Sequence, residues 1–433
     1  MSFVEAIAAK RDGEKLDREQ IAAFVRGASD ASLPPEQLAA MLMAICCRGM
    51  GPEETQSLTD AMLHSGEVWN MAADRPDAVD KHSTGGVGDT VSLILAPLLA
   101  AAGVPVAMMA GRGLGHSQGT LDKLDAIPGW DSDRNRSETL GLIEGCGAAI
   151  IAQTEDVAPA DRTLYALRDV TATVPSLPLI VGSIMSKKLA LGAGALILDV
   201  KWGSGAFRKT VDEALELATA LRRVAVDTGV KAQAVITDMN QPLGPALGTA
   251  CEVREALAVL AGAGDPRLRE VSLRLCREAM VLRGWEAAEA DAALTTALED
   301  GSAAGAWERM VIAHGGDPDP ALLARPTRTI EVAAGNKGFI ASCDGEELGR
   351  VAAEVGAGRR RLDEELAHGA GVLVHARIGN RVETGQALAT LLMGDREVNE
   401  ERLVERIRGA FALGDEPVEP PQLILGTVDE VAK

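Results

Sequence analysis

The stretch Asp80–Leu93, DKHSTGGVGDTVSL, carries three glycines, two threonines, two serines, a lysine and a histidine in fourteen residues. A short β-type approach leads through this glycine loop into an amphipathic or buried helix that starts near Asp89, a residue type suited to an N-cap. Strand, glycine loop and helix N-terminus in that order present unpaired N–H groups and the positive end of a helix dipole to an anion. Lys81 adds a full charge, and the hydroxyls of Ser83, Thr84 and Ser92 add donors. The stretch lacks the G-K-[ST] ending of a nucleotide P-loop and the G-x-G-x-x-G spacing of a dinucleotide fold. Alone, it is as compatible with a plain βα turn as with an anion site.

A second loop, Ala110–Trp130 (AGRGLGHSQGTLDKLDAIPGW), repeats the order of strand, glycines and helix, with Thr120 placed to cap and to donate its hydroxyl. Two such loops from neighbouring strands converge at the carboxyl edge of an open α/β sheet, where such folds hold their ligands. The flanking pattern agrees. Short apolar β-type runs at 104–109, 148–152, 195–200 and 232–237 alternate with helices, which points to a largely parallel sheet with crossover helices.

The N-terminal segment reads as helices only. Leu38, Met41, Leu42, Ile45 and Cys46 fall on one 3.6-period face, and the next helix has Pro52 in its first turn and closes on Gly66. Residues from Pro159 to about Lys188 are helical again, interrupting the α/β alternation as though the chain revisits its first domain. On those helices Tyr165 and Arg168 (i, i+3) share a face, as do Ser183 and Lys187 (i, i+4). Spacing alone favours two solvated helix surfaces, although three of the eleven lysines, 81, 187 and 188, sit in these segments and the first glycine loop. The Ala-rich tract 286–305 reads as a helix. Beyond the Pro-rich 317–329, GVLVHARIGNRVETGQALATLL alternates β-type residues with Gly turns, as in a small β-rich domain. It cannot be a biotin- or lipoate-type carrier, because no lysine lies between Lys337 and Lys433.

The expected fold is therefore α/β: a small all-helical domain plus a larger α/β domain with a mostly parallel sheet and a β-rich C-terminal part. The segments are 1–68 (helical), 69–158 (α/β), 159–190 (helical, returning), 191–328 (α/β, continued) and 329–433 (C-terminal). A chain of 433 residues can bury more than one core, and 47% apolar with 24% charged residues is an ordinary globular composition. The net charge of -20 argues against nucleic-acid and anionic-membrane partners, so a phosphate site needs its own cations. The six cysteines have no metal-ligand spacing and are expected as reduced thiols. Charges interrupt the N-terminus where a signal peptide needs an apolar run, and no stretch of about 18 apolar residues exists, so the expected location is cytoplasmic.

Four pieces together, DKHSTGGVGDTVSL, GRGLGHSQGTLDKLDAIPG, YALRDVTATVPSLPLIVGSIMSKKLALGAGALILDVKWGSGAF and HGAGVLVHARIGNRV, resemble the pyrimidine and thymidine nucleoside phosphorylases in order and spacing, over essentially the whole chain. The resemblance implies a homodimer with a phosphate side on the α/β domain, a pyrimidine side on the helical domain, and hinge closure between them. It implies attack of inorganic phosphate, a co-substrate, on the sugar anomeric carbon, releasing the base and an α-(deoxy)ribose 1-phosphate with inversion. Lys81, Ser83, Ser92 and Thr120 are then the phosphate residues, orienting a nucleophile stripped of water. Tyr165 positions the base, Ser183 bonds its edge, and Arg168 and Lys187 neutralise its developing charge. His82 donates a proton to the departing base or binds it, and both remain open. No organic cofactor is implied. A potassium ion is, held by carbonyls of Gly88, Thr90, Leu243 and Ala246 and the carboxylate of Glu255.

Relative to that family pattern the chain departs at several places. Ala110 stands where a phosphate-touching serine is usual, Met108 where the broad-specificity branch carries lysine, Gln118 where glycine is usual, and Asp125 where glutamate is. If the loop needs positive φ at Gln118, its side chain adds strain. The base residues are untouched. Two other readings follow: a nucleoside-binding paralogue weakened in turnover, and a phosphoribosyltransferase of the same architecture, against which the intact YALRD and SIMSKK segments count.

Overall fold

The computed structural model describes residues 2–113, 118–359 and 364–431. Four helices open the chain: α1 (Phe3–Arg11), α2 (Arg18–Ser29), α3 (Pro35–Arg48) and α4 (Pro52–Leu63). Strands and helices then alternate as β1 (Val79–Ser83), α5 (Val91–Ala101), β2 (Val106–Ala110), α6 (Thr120–Leu124), α7 (Arg136–Cys146) and β3 (Ala148–Ala152). Helices α8 (Pro159–Val170) and α9 (Leu177–Leu191) precede β4 (Ala195–Trp202), α10 (Val211–Asp227), β5 (Lys231–Asp238) and β6 (Ala246–Gly248). Four more helices follow, α11 (Ala250–Leu260), α12 (Pro266–Leu282), α13 (Ala287–Glu299) and α14 (Ser302–Ala313). The remainder is β7 (Arg328–Ala333), β8 (Gly338–Cys343), α15 (Gly345–Ala352), β9 (Gly371–Val374), β10 (Arg381–Val382), β11 (Ala387–Met393), α16 (Glu400–Gly409), β12 (Phe411–Gly414), β13 (Ile424–Thr427) and α17 (Val428–Val431).

The chain divides into two compact units, Met1–Asp80 with Gln153–Leu196 and Glu216–Ala232, and Lys81–Ala152 with Ile197–Leu215 and Gln233–Lys433. In the first, Leu38, Met41, Leu42 and Ile45 of α3 pack with Phe24, Leu58, Leu164 and Leu179, so α2, α3, α4, α8 and α9 share one core. Cys46, expected on the same face, is only half-buried. Helix α4 stops at Leu63, before Gly66. Gly66 is needed for a different reason: a Cβ there would lie 2.0 Å from Asp156 O, which accepts from Glu67 N at 2.7 Å.

In the second unit the main sheet runs β13-β5-β4-β1-β2-β3, mostly parallel, with β2 and β3 paired in parallel and β13 antiparallel on the β5 edge. Helix α5 is buried at every position from Val91 to Leu99, which decides for the buried rather than the amphipathic alternative. Its first residue is Val91 and its N-cap position is Thr90 rather than Asp89; Asp89 still serves the terminus, because Oδ1 accepts from Val91 N at 3.2 Å. The Ala-rich tract is two helices, α13 and α14, since Gly301 adopts φ 80° and breaks the run. The C-terminal part builds two small sheets, β6-β9-β11-β7, whose edge strand β6 comes from the segment before α11, and β10-β8-β12, around a core that includes Val332, Ile340, Val372, Leu391 and Leu403. Val87 of the first glycine loop belongs to that core. No helix of the described residues is long and apolar enough to cross a membrane.

Candidate functional site

Alternation along β1 turns Lys81 inward, and its ammonium lies 3.2 Å from Ser92 Oγ on α5 and 3.6 Å from the Asp199 carboxylate on β4. Two of the expected phosphate residues are therefore together. Asp199 also pairs with Lys201 at 2.7 Å and accepts from Thr237 Oγ1 at 2.7 Å. Ser83 donates to Asp89 Oδ2 at 2.7 Å, which Lys201 approaches to 3.8 Å. Burial pushes the Asp89 carboxyl up, but Lys201, then Lys81 and Lys123, and the Ser83 hydroxyl outweigh it and hold it far below the usual range. Burial likewise opposes the Lys201 ammonium, yet Asp199 and Asp89 raise its pKa. The first glycine loop thus sits on an alternating array of buried charges. His82, between Lys81 and Ser83, is half-buried.

The second loop joins the first through α6. Lys123 Nζ donates to Asp89 O at 2.5 Å and pairs with Glu252 at 2.6 Å. Thr120 does not cap: it is the first helical residue, Gly119 occupies the N-cap position, and Asp122 accepts from Gly119 N at 2.9 Å and Gly113 N at 2.6 Å. Arg359 pairs with the other oxygen of Asp122. Gln118 has no positive φ, so the anticipated strain is absent; its side chain is buried, with no hydrogen-bond partner of Nε2 among the described residues. Residues 114–117 of this loop lie outside the described residues. Ala110 ends β2 half-buried beside Ala152, Met108 is buried within the sheet beside Ile150, and Asp125 pairs with Arg112.

The base-side residues sit on α8 and α9 of the first unit. Arg168 is 2% exposed, so the solvated-surface reading fails for it: Nη1 donates to Leu179 O at 3.0 Å, Nη2 to Val174 O at 2.8 Å, and Nε has no partner among the described residues. Its guanidinium lies 5.5 Å from the Tyr165 ring centroid, and burial lowers its pKa against the pull of Asp161. Desolvation raises the Tyr165 phenol. Lys187 donates to Ser183 Oγ at 3.1 Å and forms an ion pair with Asp161, whose second oxygen is buried without a partner. All four expected residues are thus joined in one cluster, with Asp161 added. Lys188, its neighbour, points elsewhere and pairs with Asp80 at 2.9 Å.

The proposed cation ligands come from two segments that the second unit aligns. Leu243 N donates to Val87 O at 3.1 Å and Gly244 N to Gly88 O at 3.0 Å. At Gly88 (φ 65°) a Cβ would meet Gly244 O at 2.9 Å and Ala246 O at 3.1 Å. Thr90 Oγ1 is buried without a hydrogen-bond partner among the described residues. Glu255 accepts from Asp265 N at 2.7 Å, and Leu243 O accepts from Arg377 Nη1 at 3.2 Å.

Several participants escaped the sequence reading, some of them with a visible signal. Asp199 and Lys201 are two charges at i, i+2 inside the apolar run ALILDVKW, which an interior strand tolerates only when they are paired. Asp161, Tyr165 and Arg168 follow at i, i+4 and i+7 on one helical face. Lys123 and Asp122 have no comparable signal, because their partners Glu252 and Arg359 are more than 100 residues away.

Comparison with known proteins gives a consistent result. Residues 4–66 match the family described as glycosyl transferase family, helical bundle domain; residues 75–304 match glycosyl transferase family, a/b domain; residues 339–413 match pyrimidine nucleoside phosphorylase C-terminal domain. The chain is similar to the pyrimidine-nucleoside phosphorylase of Geobacillus stearothermophilus, 41% identical over 98% of this chain and 99% of the relative. It is 43% identical to that of Bacillus subtilis (92% and 94%) and 43% identical to the thymidine phosphorylase of Rhizobium meliloti (97% and 97%). Among solved structures, anthranilate phosphoribosyltransferase from Thermus thermophilus shares the fold, with a TM-score of 0.55 at 20% identity, over 71% of this chain and 99% of that one.

Proposed function

The chain belongs to the pyrimidine and thymidine nucleoside phosphorylase family, and from that premise we propose that it is an enzyme cleaving pyrimidine (deoxy)nucleosides with inorganic phosphate. The observation that carries the reading onto this chain is the cluster of Tyr165, Arg168, Ser183 and Lys187 on α8 and α9, two cations and a hydroxyl suited to a flat ring bearing oxygens.

One phosphate oxygen attacks C1′ from the face opposite the base, the C1′–N1 bond breaks, and its electron pair passes to the base. The products are free pyrimidine, once it gains a proton, and α-D-(deoxy)ribose 1-phosphate. Lys81, Ser83, Ser92 and Thr120 hold the phosphate in line, with loop amides replacing its water. Lys187 and Arg168 stabilise charge on the departing base, Ser183 bonds its edge and Tyr165 positions it. His82 is the candidate proton donor beside the phosphate lysine. Asp199 tempers Lys81 without cancelling it, since Asp199 is shared with Lys201.

The carbonyls of Gly88, Thr90, Leu243 and Ala246 and the carboxylate of Glu255 suit a hard monovalent cation such as potassium; the buried, unpartnered Thr90 hydroxyl and the carbonyls crowding Gly88 support that fit. Bound there, the ion would supply positive charge next to the start of α5. The proposal extends to a cytoplasmic homodimer with a helical base-binding domain (1–68 and 159–190), an α/β phosphate domain (69–158 and 191–328) and a C-terminal part (329–433).

The test is to incubate the protein with thymidine, uridine or deoxyuridine while titrating phosphate, and to quantify free base and sugar 1-phosphate. Equimolar, phosphate-dependent formation of both supports the reading. Pyrimidine binding by calorimetry with no product at high phosphate would replace it with the nucleoside-binding paralogue.

A further inference from the structure

The HARIGN stretch (His375–Asn380) of the C-terminal part has no role in the chemistry above, yet its arginine reaches the backbone on which the first glycine loop rests. The Arg377 guanidinium, 16% exposed, donates through Nη1 to Pro242 O at 2.6 Å and Leu243 O at 3.2 Å, and through Nη2 to Asp265 Oδ2 at 2.7 Å. Asp265 is itself fixed, because its other oxygen accepts from Arg267 N and Leu268 N at the start of α12. On either side of Arg377 the backbone grips the same strip: Val374 N donates to Pro245 O at 2.7 Å and Ile378 N to Gln241 Oε1 at 3.0 Å.

The opposite edge of that strip carries the loop. Leu243 N and Gly244 N donate to Val87 O and Gly88 O, and Gly88 has no room for a side chain against Gly244 O. Val87 is buried in the C-terminal core. The loop that begins with Lys81 to Ser83 and ends in α5 with Ser92 is therefore set in register by residues 241–246, and these are set by Arg377. A guanidinium suits this task better than an ammonium, since its planar fork serves two carbonyls and a carboxylate at once.

We propose that Arg377 is a positioning residue for phosphate, through which the C-terminal part holds the glycine loop in its binding geometry. This rests on the phosphorylase reading for its kinetic readout. A misplacement of about 1 Å in such a loop costs up to about a hundredfold in rate or affinity. Arg377→Lys and Arg377→Ala are compared with Arg381→Ala, an exposed arginine paired with Glu383 at 3.1 Å. The measurements are KM for phosphate, KM for nucleoside, the affinity for inorganic phosphate alone by calorimetry, and thermal unfolding.

Expected is a rise in phosphate KM and in phosphate Kd of about ten- to a hundredfold in Arg377→Lys, with nucleoside KM unchanged and Arg381→Ala like the parent. Should Arg377→Ala not fold, the lysine variant decides; should neither fold, Asp265→Asn, which releases the guanidinium from its anchor, decides by the same split. An unchanged phosphate KM and Kd in a folded variant overturns the inference, as does an equal loss for both substrates. If the parent protein binds phosphate but forms no product, the enzymatic reading fails, and the calorimetric comparison still judges Arg377.

Discussion

Lys201 and Asp199, two residues apart on β4, meet at 2.7 Å with neither side chain exposed to solvent. Alternation along the strand puts both on one face, and Lys81 and Asp89 extend the pair into the array under the first glycine loop. The charge on Lys81 is thus shared with a carboxylate that already has a closer partner.

Replacing Lys201 by alanine leaves Asp199 and Asp89 short of a cation in the interior. Breaking a buried pair in this way costs about 3–5 kcal/mol, and Asp199 then keeps Lys81 as its paired cation beside the Thr237 hydroxyl. Denaturant unfolding of Lys201→Ala is expected to show that loss, with weaker phosphate binding by calorimetry. A variant as stable as the parent with unchanged phosphate affinity contradicts the shared-charge account.

Under the proposed mechanism Lys187 stabilises the leaving base, and Lys187→Ala is then expected to lower kcat/KM by about two to three decades. The loss should shrink for nucleosides of more acidic pyrimidines, which carry departing charge unaided. A deficit independent of base acidity would assign Lys187 to binding or folding instead, through its contacts to Asp161 and Ser183.

His314 is buried against Trp130, with ring centroids 4.0 Å apart, its Nδ1 2.9 Å from Asp131 O and its Nε2 accepting from Ile150 N at 3.4 Å. Burial depresses its pKa to about 4 from 6.5. Protonation therefore favours the unfolded chain, so the stability due to this group is whole above about pH 6.5 and falls as pH drops toward 4. The full difference is about 3 kcal/mol. Denaturation at pH 7, 5.5 and 4.5 should show this decline, and His314→Gln should flatten it; parallel curves for the two proteins would remove His314 as the cause.

Ala110 lies at the carboxyl end of β2, one residue before the second glycine loop. If a phosphate oxygen reaches this point, Ala110→Ser adds a hydrogen bond to a charged group, about 1.5–3 kcal/mol, or one to two decades in phosphate affinity. Calorimetry with inorganic phosphate reads this directly. Unaltered affinity in the serine variant places the bound anion away from β2.

Much of the fold is legible locally. The runs at 148–152 and 195–200 are strands because β-type residues fill them between turn signals, and the α3 face of Leu38, Met41, Leu42 and Ile45 is buried because its period matches a helix. Failures were also local. Gly301 splits one alanine-rich helix into two through a left-handed turn, and Gly119 rather than Thr120 precedes α6 because Asp122 binds back to it.

Among the proposed site residues, Tyr165 with Arg168 and Ser183 with Lys187 could be paired from spacing, since the helix period sets which side chains are neighbours, whereas Lys81, Ser83 and Ser92 are grouped only by lying in one glycine-loop stretch. Their partners could not be found from spacing. Asp199 beside Lys81, Glu252 beside Lys123, Asp161 between the two base-side helices and Arg377 on the carbonyls of Pro242 and Leu243 depend on which strands and loops lie adjacent. Residue order alone establishes periodicity, turn chemistry and overall charge because these act over a few bonds. Which buried charge neutralises which was decided only by chain packing, since an ion pair in a low-dielectric interior depends on ångström distances between segments that the sequence keeps far apart.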